Sequence, residues 1–206
     1  MVKRTDLKSD RFYKKAKKEG YRSRSAFKLL QIVNKFEVIK EGDTVVDLGA
    51  APGGWSQVAK GLVGDKGVII SVDLQRIEEI EDVVIIKSDI TREEETIKAI
   101  KDVVKRRYAV NVVLSDASPK LSGNRSYDHF QSFELSESAL NIACALLMKN
   151  GNFVAKIFQG VYYNKFYRAV KEKFGYARAY SPEASRKRSA EVYVIGKGYK
   201  GKGVRQ

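Results

Sequence analysis

The sequence has few of the residues that build disulfide frameworks, zinc sites and membrane spans. Its 206 residues include one cysteine, one histidine, one tryptophan and three prolines. A lone thiol excludes a disulfide framework and a cysteine-rich zinc site. Cys144, in the run ALNIACALLMK, reads as a small apolar packing residue. The lone His129 lacks ligand partners at metal-binding spacing, so no metal is expected. No apolar run approaches the roughly 18 residues of a membrane span. The N-terminal stretch MVKRTDLKSDRFYKKAKKEG lacks the apolar core of a signal peptide. These absences predict a cytoplasmic protein with no membrane contact, and a monomer is the default. Acidic charge is scarce too: 25 Asp and Glu against 39 Lys and Arg leave a formal net charge of +14.

The distribution of that charge is uneven. Residues 1–40 carry 13 basic and 4 acidic side chains, residues 165–206 carry 12 and 3, and residues 41–164 carry 14 and 18. Two basic ends therefore flank a mildly acidic centre. Such ends repel themselves unless a polyanion answers them, which points to nucleic acid. Charge alone does not distinguish RNA from DNA. With 43% hydrophobic residues the chain can build a full core, and its length suits one α/β domain spanning 1–206. Within it, 1–40 reads as a basic nucleic-acid-binding segment with a leading helix, 41–197 as the catalytic sheet domain, and 198–206 as a basic tail.

Short apolar runs alternate with helical periodicity. The runs are 44–49, 67–74, 83–89, 110–116, 152–158 and 191–196, with a weaker one at 176–180. Most of the first five are β-branched and nearly continuous, as strands buried on both faces are. Helices are expected at about 23–35, 54–63, 92–106, 133–149 and 162–174, and Thr91 with Glu94 resembles a capping box. This alternation predicts a doubly wound, mostly parallel sheet. The last two strands lack a clear crossover helix, so the final strand is expected to be antiparallel.

In such sheets ligands bind beyond the carboxyl ends of the strands. Asp47, Asp73, Asp89 and Asp116 fall at those ends. Each alone also fits a turn or helix cap. Together they form an acidic edge suited to a ligand with positive charge and sugar hydroxyls, such as S-adenosylmethionine. The loop Asp47-Leu-Gly49-Ala-Ala-Pro52-Gly53-Gly54-Trp55 matches neither the dinucleotide fingerprint nor a P-loop. Gly49 and Gly53 permit close backbone approach, and the N–H groups of Gly53, Gly54 and Trp55 are expected to point outward at a helix start. Asp73, twenty residues beyond Gly53, suits a ribose, and Asp89 suits an adenine amino group or a helix cap. Trp55 fits either the cofactor pocket or packing against the sheet.

Taken together, SRSAFKLLQI, DLGAAPGGWSQVA, SDASPKLSG, FVAKIFQG and SRKRSAEVYVIG resemble, in that order, the FtsJ/RrmJ family of ribose 2′-O-methyltransferases. The similarity runs from about Tyr13 to Gly198. The resemblance implies a Rossmann-like S-adenosylmethionine-dependent methyltransferase fold, with a seven-stranded, mostly parallel sheet and an antiparallel last strand. It places a catalytic set on Lys28, Asp116, Lys156 and Glu191. Cofactor contacts fall on Asp47, Gly49, Pro52, Gly53, Trp55, Asp73, Asp89 and Asp116. Lys156 interrupts an apolar strand, where an unpaired ammonium would be expensive. It is expected to act as general base, or to stay charged and steer the hydroxyl, with Asp116 orienting it and Glu191 and Lys28 positioning the ribose.

Tyr21, Arg22 and Arg24 before Lys28, and Arg186, Lys187 and Arg188 before Glu191, are the expected RNA contacts. The resemblance, together with the compact length, points to a uridine of large-subunit ribosomal RNA, with transfer RNA as the alternative substrate. An inactive RNA-binding assembly factor is a further alternative, which the intact four-residue set opposes. A nicotinamide oxidoreductase is disfavoured by the glycine spacing. The sequence departs from the family where Ala117, Ser118 and Lys120 surround the proline after Asp116.

Overall fold

In the computed structural model, residues 10–104, 109–186 and 189–201 are described. Helices α1 (Arg11–Lys18) and α2 (Ala26–Phe36) lead into strand β1 (Thr44–Leu48) and helix α3 (Gly54–Val63). Strands β2 (Val68–Asp73) and β3 (Val83–Lys87), helix α4 (Glu93–Val104), strand β4 (Val110–Ser115) and helix α5 (Arg125–Leu146) follow. The chain continues through β5 (Leu147–Phe158), α6 (Tyr163–Lys173), β6 (Phe174–Tyr180) and β7 (Glu191–Tyr199).

The seven strands form one sheet in the order β3-β2-β1-β4-β5-β7-β6. The pairs from β3 through β5 are parallel, and β7 runs antiparallel to both β5 and β6. The expected doubly wound sheet with an antiparallel last strand is present. Apolar faces of α2 and α3, with Leu29, Ile32 and Val58, pack on one side of the sheet against Val45 and Val112. On the other side Ile100 of α4, Leu140 of α5 and Phe166 of α6 pack against Val46, Val113 and Phe153. Helix α2 is therefore part of the core and does not sit apart with the basic segment.

Several boundaries differ from the sequence reading. Helix α5 starts at Arg125, eight residues earlier than expected, because Asn124 caps it by accepting from the N–H groups of Ser126 and Tyr127. It ends at Leu146, and β5 takes over at Leu147, with an irregular register near Val110 and Asn150 in a left-handed conformation. Helix α1 lies in the basic segment, capped by Asp10. The Thr91–Glu94 capping box does not form. The Thr91 hydroxyl and N–H both donate to Asp89, so it is the aspartate that organises the turn into α4.

Candidate active site

Asp47, Asp73, Asp89 and Asp116 lie at the carboxyl ends of β1, β2, β3 and β4, four neighbouring parallel strands, so one edge of the sheet carries all four. The chain itself satisfies much of that charge. Asp73 accepts from the N–H groups of Ala51 (2.9 Å) and Gln75 (2.7 Å). Asp47 is fully buried and accepts from Ser56 Oγ at 2.6 Å, and Ser71 Oγ donates in turn to Ser56. Its other oxygen, Oδ1, is buried without a hydrogen-bond partner among the described residues. Burial, seconded by the charges of Asp116 and Asp73 and opposed by the Ser56 hydrogen bond, pushes the Asp47 carboxyl up to about 7. An uncompensated buried acceptor beside two further carboxylates is a site short of positive charge.

The loop after β1 is shaped by close contacts. Gly49 has φ +73°, and a Cβ there would lie 2.6 Å from the Cβ of Ala117, so β1 and the β4 loop meet backbone to backbone. Gly53, with φ +110°, precedes the first turn of α3. The expectation of three outward N–H groups is corrected: the Gly53 N–H donates to the Ala50 carbonyl at 2.7 Å. Pro52 lies in the same turn, and its carbonyl accepts from Arg22. Trp55 packs and does not line the loop surface. It is 2% exposed, its Nε1 donates to the Ser25 carbonyl at 2.9 Å, and its ring lies 5.6 Å from that of Tyr193.

Lys28, Asp116, Lys156 and Glu191 come together from α2, the end of β4, β5 and the start of β7. Lys28 Nζ reaches Glu191 Oε2 at 2.7 Å. Lys156 Nζ lies 3.1 Å from Asp116 Oδ1, 2.8 Å from the Asp116 carbonyl and 4.0 Å from Glu191 Oε1. Both lysines are buried, at 7% and 5% exposure, so each is held by a carboxylate rather than by water. The antiparallel register sets Lys156 beside Tyr193 and Phe158 beside Glu191. Two buried serines of α5 tie down β5: Ser136 Oγ donates to the Lys156 carbonyl, and Ser132 Oγ accepts from the Phe158 N–H.

Tyr193 is the residue that the sequence reading missed. Its hydroxyl donates to Asp116 Oδ1 at 2.6 Å, and the Lys28 ammonium lies 5.6 Å from its ring centroid. The available signal was its spacing, two residues beyond Glu191 on one strand and hence on the same face. Burial opposes ionisation of Asp116, but the charges of Lys156 and Lys28 and the Tyr193 hydrogen bond overcome it and hold the carboxyl below its ordinary value. Burial and the facing carboxylates push the Tyr193 phenol well above its ordinary range.

The basic residues near the site divide. Arg22 faces inward: its guanidinium donates to the carbonyls of Pro52, Glu78 and Glu79, latching the leading segment onto the loops after β1 and β2. Tyr21 packs edge-on against Phe27. Arg24 pairs with Asp10 and donates to the Ala184 carbonyl, yet still lines a cavity of about 580 Å³ with Arg186, Lys28 and Glu191. Burial first, and the charge of Arg186 second, lower the pKa of Arg24, and Glu191 opposes them. Lys187 and Arg188 lie outside the described residues. Among the described residues no cluster of three or more His, Cys, Asp or Glu could hold a metal ion, and no helix is long and apolar enough to cross a membrane.

The chain is similar to known proteins. The FtsJ-like methyltransferase family model matches residues 21–199. A protein of Methanococcoides burtonii named ribosomal RNA large subunit methyltransferase E is 55% identical over 188 residues, covering 91% of this chain and 69% of the relative. A protein of the same name from Methanocaldococcus jannaschii is 50% identical over 197 residues, covering 95% and 80%. Both relatives are longer than this chain, so compactness is not what marks proteins of that name. A Plasmodium falciparum crystal structure, provisionally titled a ribosomal RNA methyltransferase, superposes with a TM-score of 0.78 at 26% identity over 88% of this chain and 100% of its own. The match spans all seven strands and the four charged residues of the buried cluster, and the chain belongs to the FtsJ-like methyltransferase family.

Proposed function

We propose that this chain methylates a ribose 2′-hydroxyl, on a uridine of large-subunit ribosomal RNA, with S-adenosylmethionine as donor. The observation that carries this reading is the buried cluster in which Lys28 is paired with Glu191 and Lys156 with Asp116, beside an acid rim short of positive charge. That rim fits the donor: the unpartnered Asp47 oxygen and its carboxylate neighbours complement a cation and repel the pyrophosphate of a dinucleotide. Asp47, Gly49, Pro52, Gly53, Asp73, Asp89 and Asp116 would hold it, Asp73 by the ribose hydroxyls and Asp89 by the adenine amino group. When bound, the donor supplies a methyl group on a cationic sulfur.

The chain's own residues do the rest. A ribose hydroxyl is a weak nucleophile at neutral pH, so it needs a proton acceptor. Lys156, once it has released its own proton to solvent, takes the hydroxyl proton as the amine, and Asp116 at 3.1 Å stabilises the ammonium so formed. Tyr193 helps to keep Asp116 in place by donating to the same oxygen, Oδ1, that Lys156 approaches. Glu191, fixed by Lys28, hydrogen-bonds and orients the sugar. Arg24 and Arg186 guide phosphates into the cavity. The names of the archaeal relatives support the choice of ribosomal RNA.

Methyl transfer from labelled donor into large ribosomal subunits and into unmodified transfer RNA tests the reading, with the labelled atom mapped. Label on one ribose 2′-oxygen of large-subunit RNA is expected; label only in transfer RNA, or on a base, overturns it. In single-turnover assays Lys156→Arg, which keeps the charge but cannot accept a proton, should lose about 10²- to 10⁴-fold. Near-normal transfer by that variant would show that Lys156 steers the hydroxyl without taking its proton.

A further inference from the structure

The cavity beside Lys28 and Glu191 is larger than a ribose requires. Its volume of about 580 Å³ lies within the roughly 300–1,000 Å³ of pockets that enclose whole small molecules. Its lining is of two kinds. Arg24, Arg186, Lys28 and Glu191 are charged. Ser118 and Leu121 of the β4–α5 loop, His129 of α5 and Phe158 at the end of β5 form an uncharged wall, with Arg125 one helical turn before His129. Phe158 and His129 meet edge to face with ring centroids 6.2 Å apart, and Leu121 is 71% exposed. Lys120, the departure from the family pattern, is not part of that wall.

The wall is also held rigid. The buried Asp128 carboxylate accepts from both the N–H and the hydroxyl of Ser122 at 2.8 Å, pinning the loop that carries Ser118 and Leu121 to the first turn of α5. Rigid apolar and aromatic surfaces next to hydrogen-bonding groups are how proteins hold unstacked RNA bases. A serine hydroxyl donates and accepts, and a neutral imidazole does one at each nitrogen, so Ser118 and His129 can read a base edge.

We propose that this wall receives the base of the methylated nucleotide, stacked on Leu121 and Phe158, and that Ser118 and His129 select which base is accepted. The proposal rests on the ribose-methylation reading above and adds to it a specificity determinant separate from the basic ends. The basic ends act on every nucleotide alike; this wall discriminates.

The test uses the full chain and RNA fragments carrying the mapped target as U, C, A or G, assayed in single turnovers. The wild type should prefer one base. His129→Ala and Ser118→Ala should bring the four rates together, and Leu121→Ala, which removes an apolar contact, should raise KM about tenfold for all four. Leu121 and Ser118 are exposed, and an unchanged donor-induced shift in Tm checks that each variant is folded. A wild type indifferent to the base, or variants that keep both the wild-type ranking and KM, would overturn the proposal alone. A wild type that transfers no methyl group to any RNA would sink the ribose-methylation reading and this inference with it.

Discussion

The two halves of the site handle charge in opposite ways. On the acceptor side two lysines and two carboxylates pair off, Lys28 with Glu191 and Lys156 with Asp116, and Tyr193 fills a remaining position on Asp116. On the donor side Asp47 and Asp73 stand with hydroxyl and N–H partners but no cation among the described residues, and one oxygen of Asp47 has no hydrogen-bond partner among them. The acceptor side is complete before any ligand arrives. The donor side stays electrostatically unfinished. A preorganised cluster aims groups at the reacting oxygen with little rearrangement, whereas an unfinished rim converts the arrival of a cation into binding energy.

Asp116 belongs to both halves, so Asp116→Ala should have the largest effect. It leaves the buried Lys156 ammonium with the main-chain carbonyl of residue 116 and the more distant Glu191 carboxylate, a loss of about 3–5 kcal/mol in stability. Methyl transfer should fall by at least about 10³-fold. Denaturant unfolding and single-turnover assays would check both, and a stable, active variant would dissolve the contrast between the halves.

Asp47→Asn is next. Because the folded carboxyl sits at about 7 and not at the ordinary 3.8, the folded protein favours the protonated form. That contribution is whole below about pH 4, is lost as pH rises towards 7, and is absent above. The neutral variant should therefore unfold at higher temperature than the wild type at pH 8, by at most about 4 kcal/mol, and the difference should vanish near pH 4. It should also bind the cationic donor less tightly. A gap that does not change with pH would mean that the rim is not short of charge.

Tyr193→Phe removes one hydrogen bond to an ionised carboxylate, worth about 1.5–3 kcal/mol. It should lower kcat with little change in KM for RNA, since the phenol acts through Asp116. The smallest effect is expected for Arg186→Ala. Its RNA affinity should depend on salt less steeply, by about one phosphate contact, while donor binding, read by calorimetry, stays as in the wild type.

The positions of β1 to β4 were legible because β-branched runs ending in or near aspartate are explicit in the sequence. Helix α5 was only half legible, and the reason lies in its packing. The face against β5 buries Ser132 and Ser136 where an apolar stripe would ordinarily sit, so hydrophobic periodicity began only at Phe133. The four charged residues could be named from motifs, but Tyr193 depended on the β5–β7 register that places it beside Lys156, and local sequence does not contain that register. Arg22 shows the converse limit. In the sequence, a basic residue six positions before Lys28 suits RNA, yet three main-chain carbonyls within reach claimed its guanidinium.

The late position of β7 has a consequence for biosynthesis. Strand β7 inserts between β5 and β6 and brings in Glu191 and Tyr193, which meet residues more than seventy positions earlier. Chains emerge from the ribosome amino terminus first, so a nascent molecule can form β1 to β5 and the acidic edge while its sheet still has a gap. The buried charged cluster is then completed in one step, when β7 slots into place, and a polypeptide that stops short of it lacks Glu191 and Tyr193.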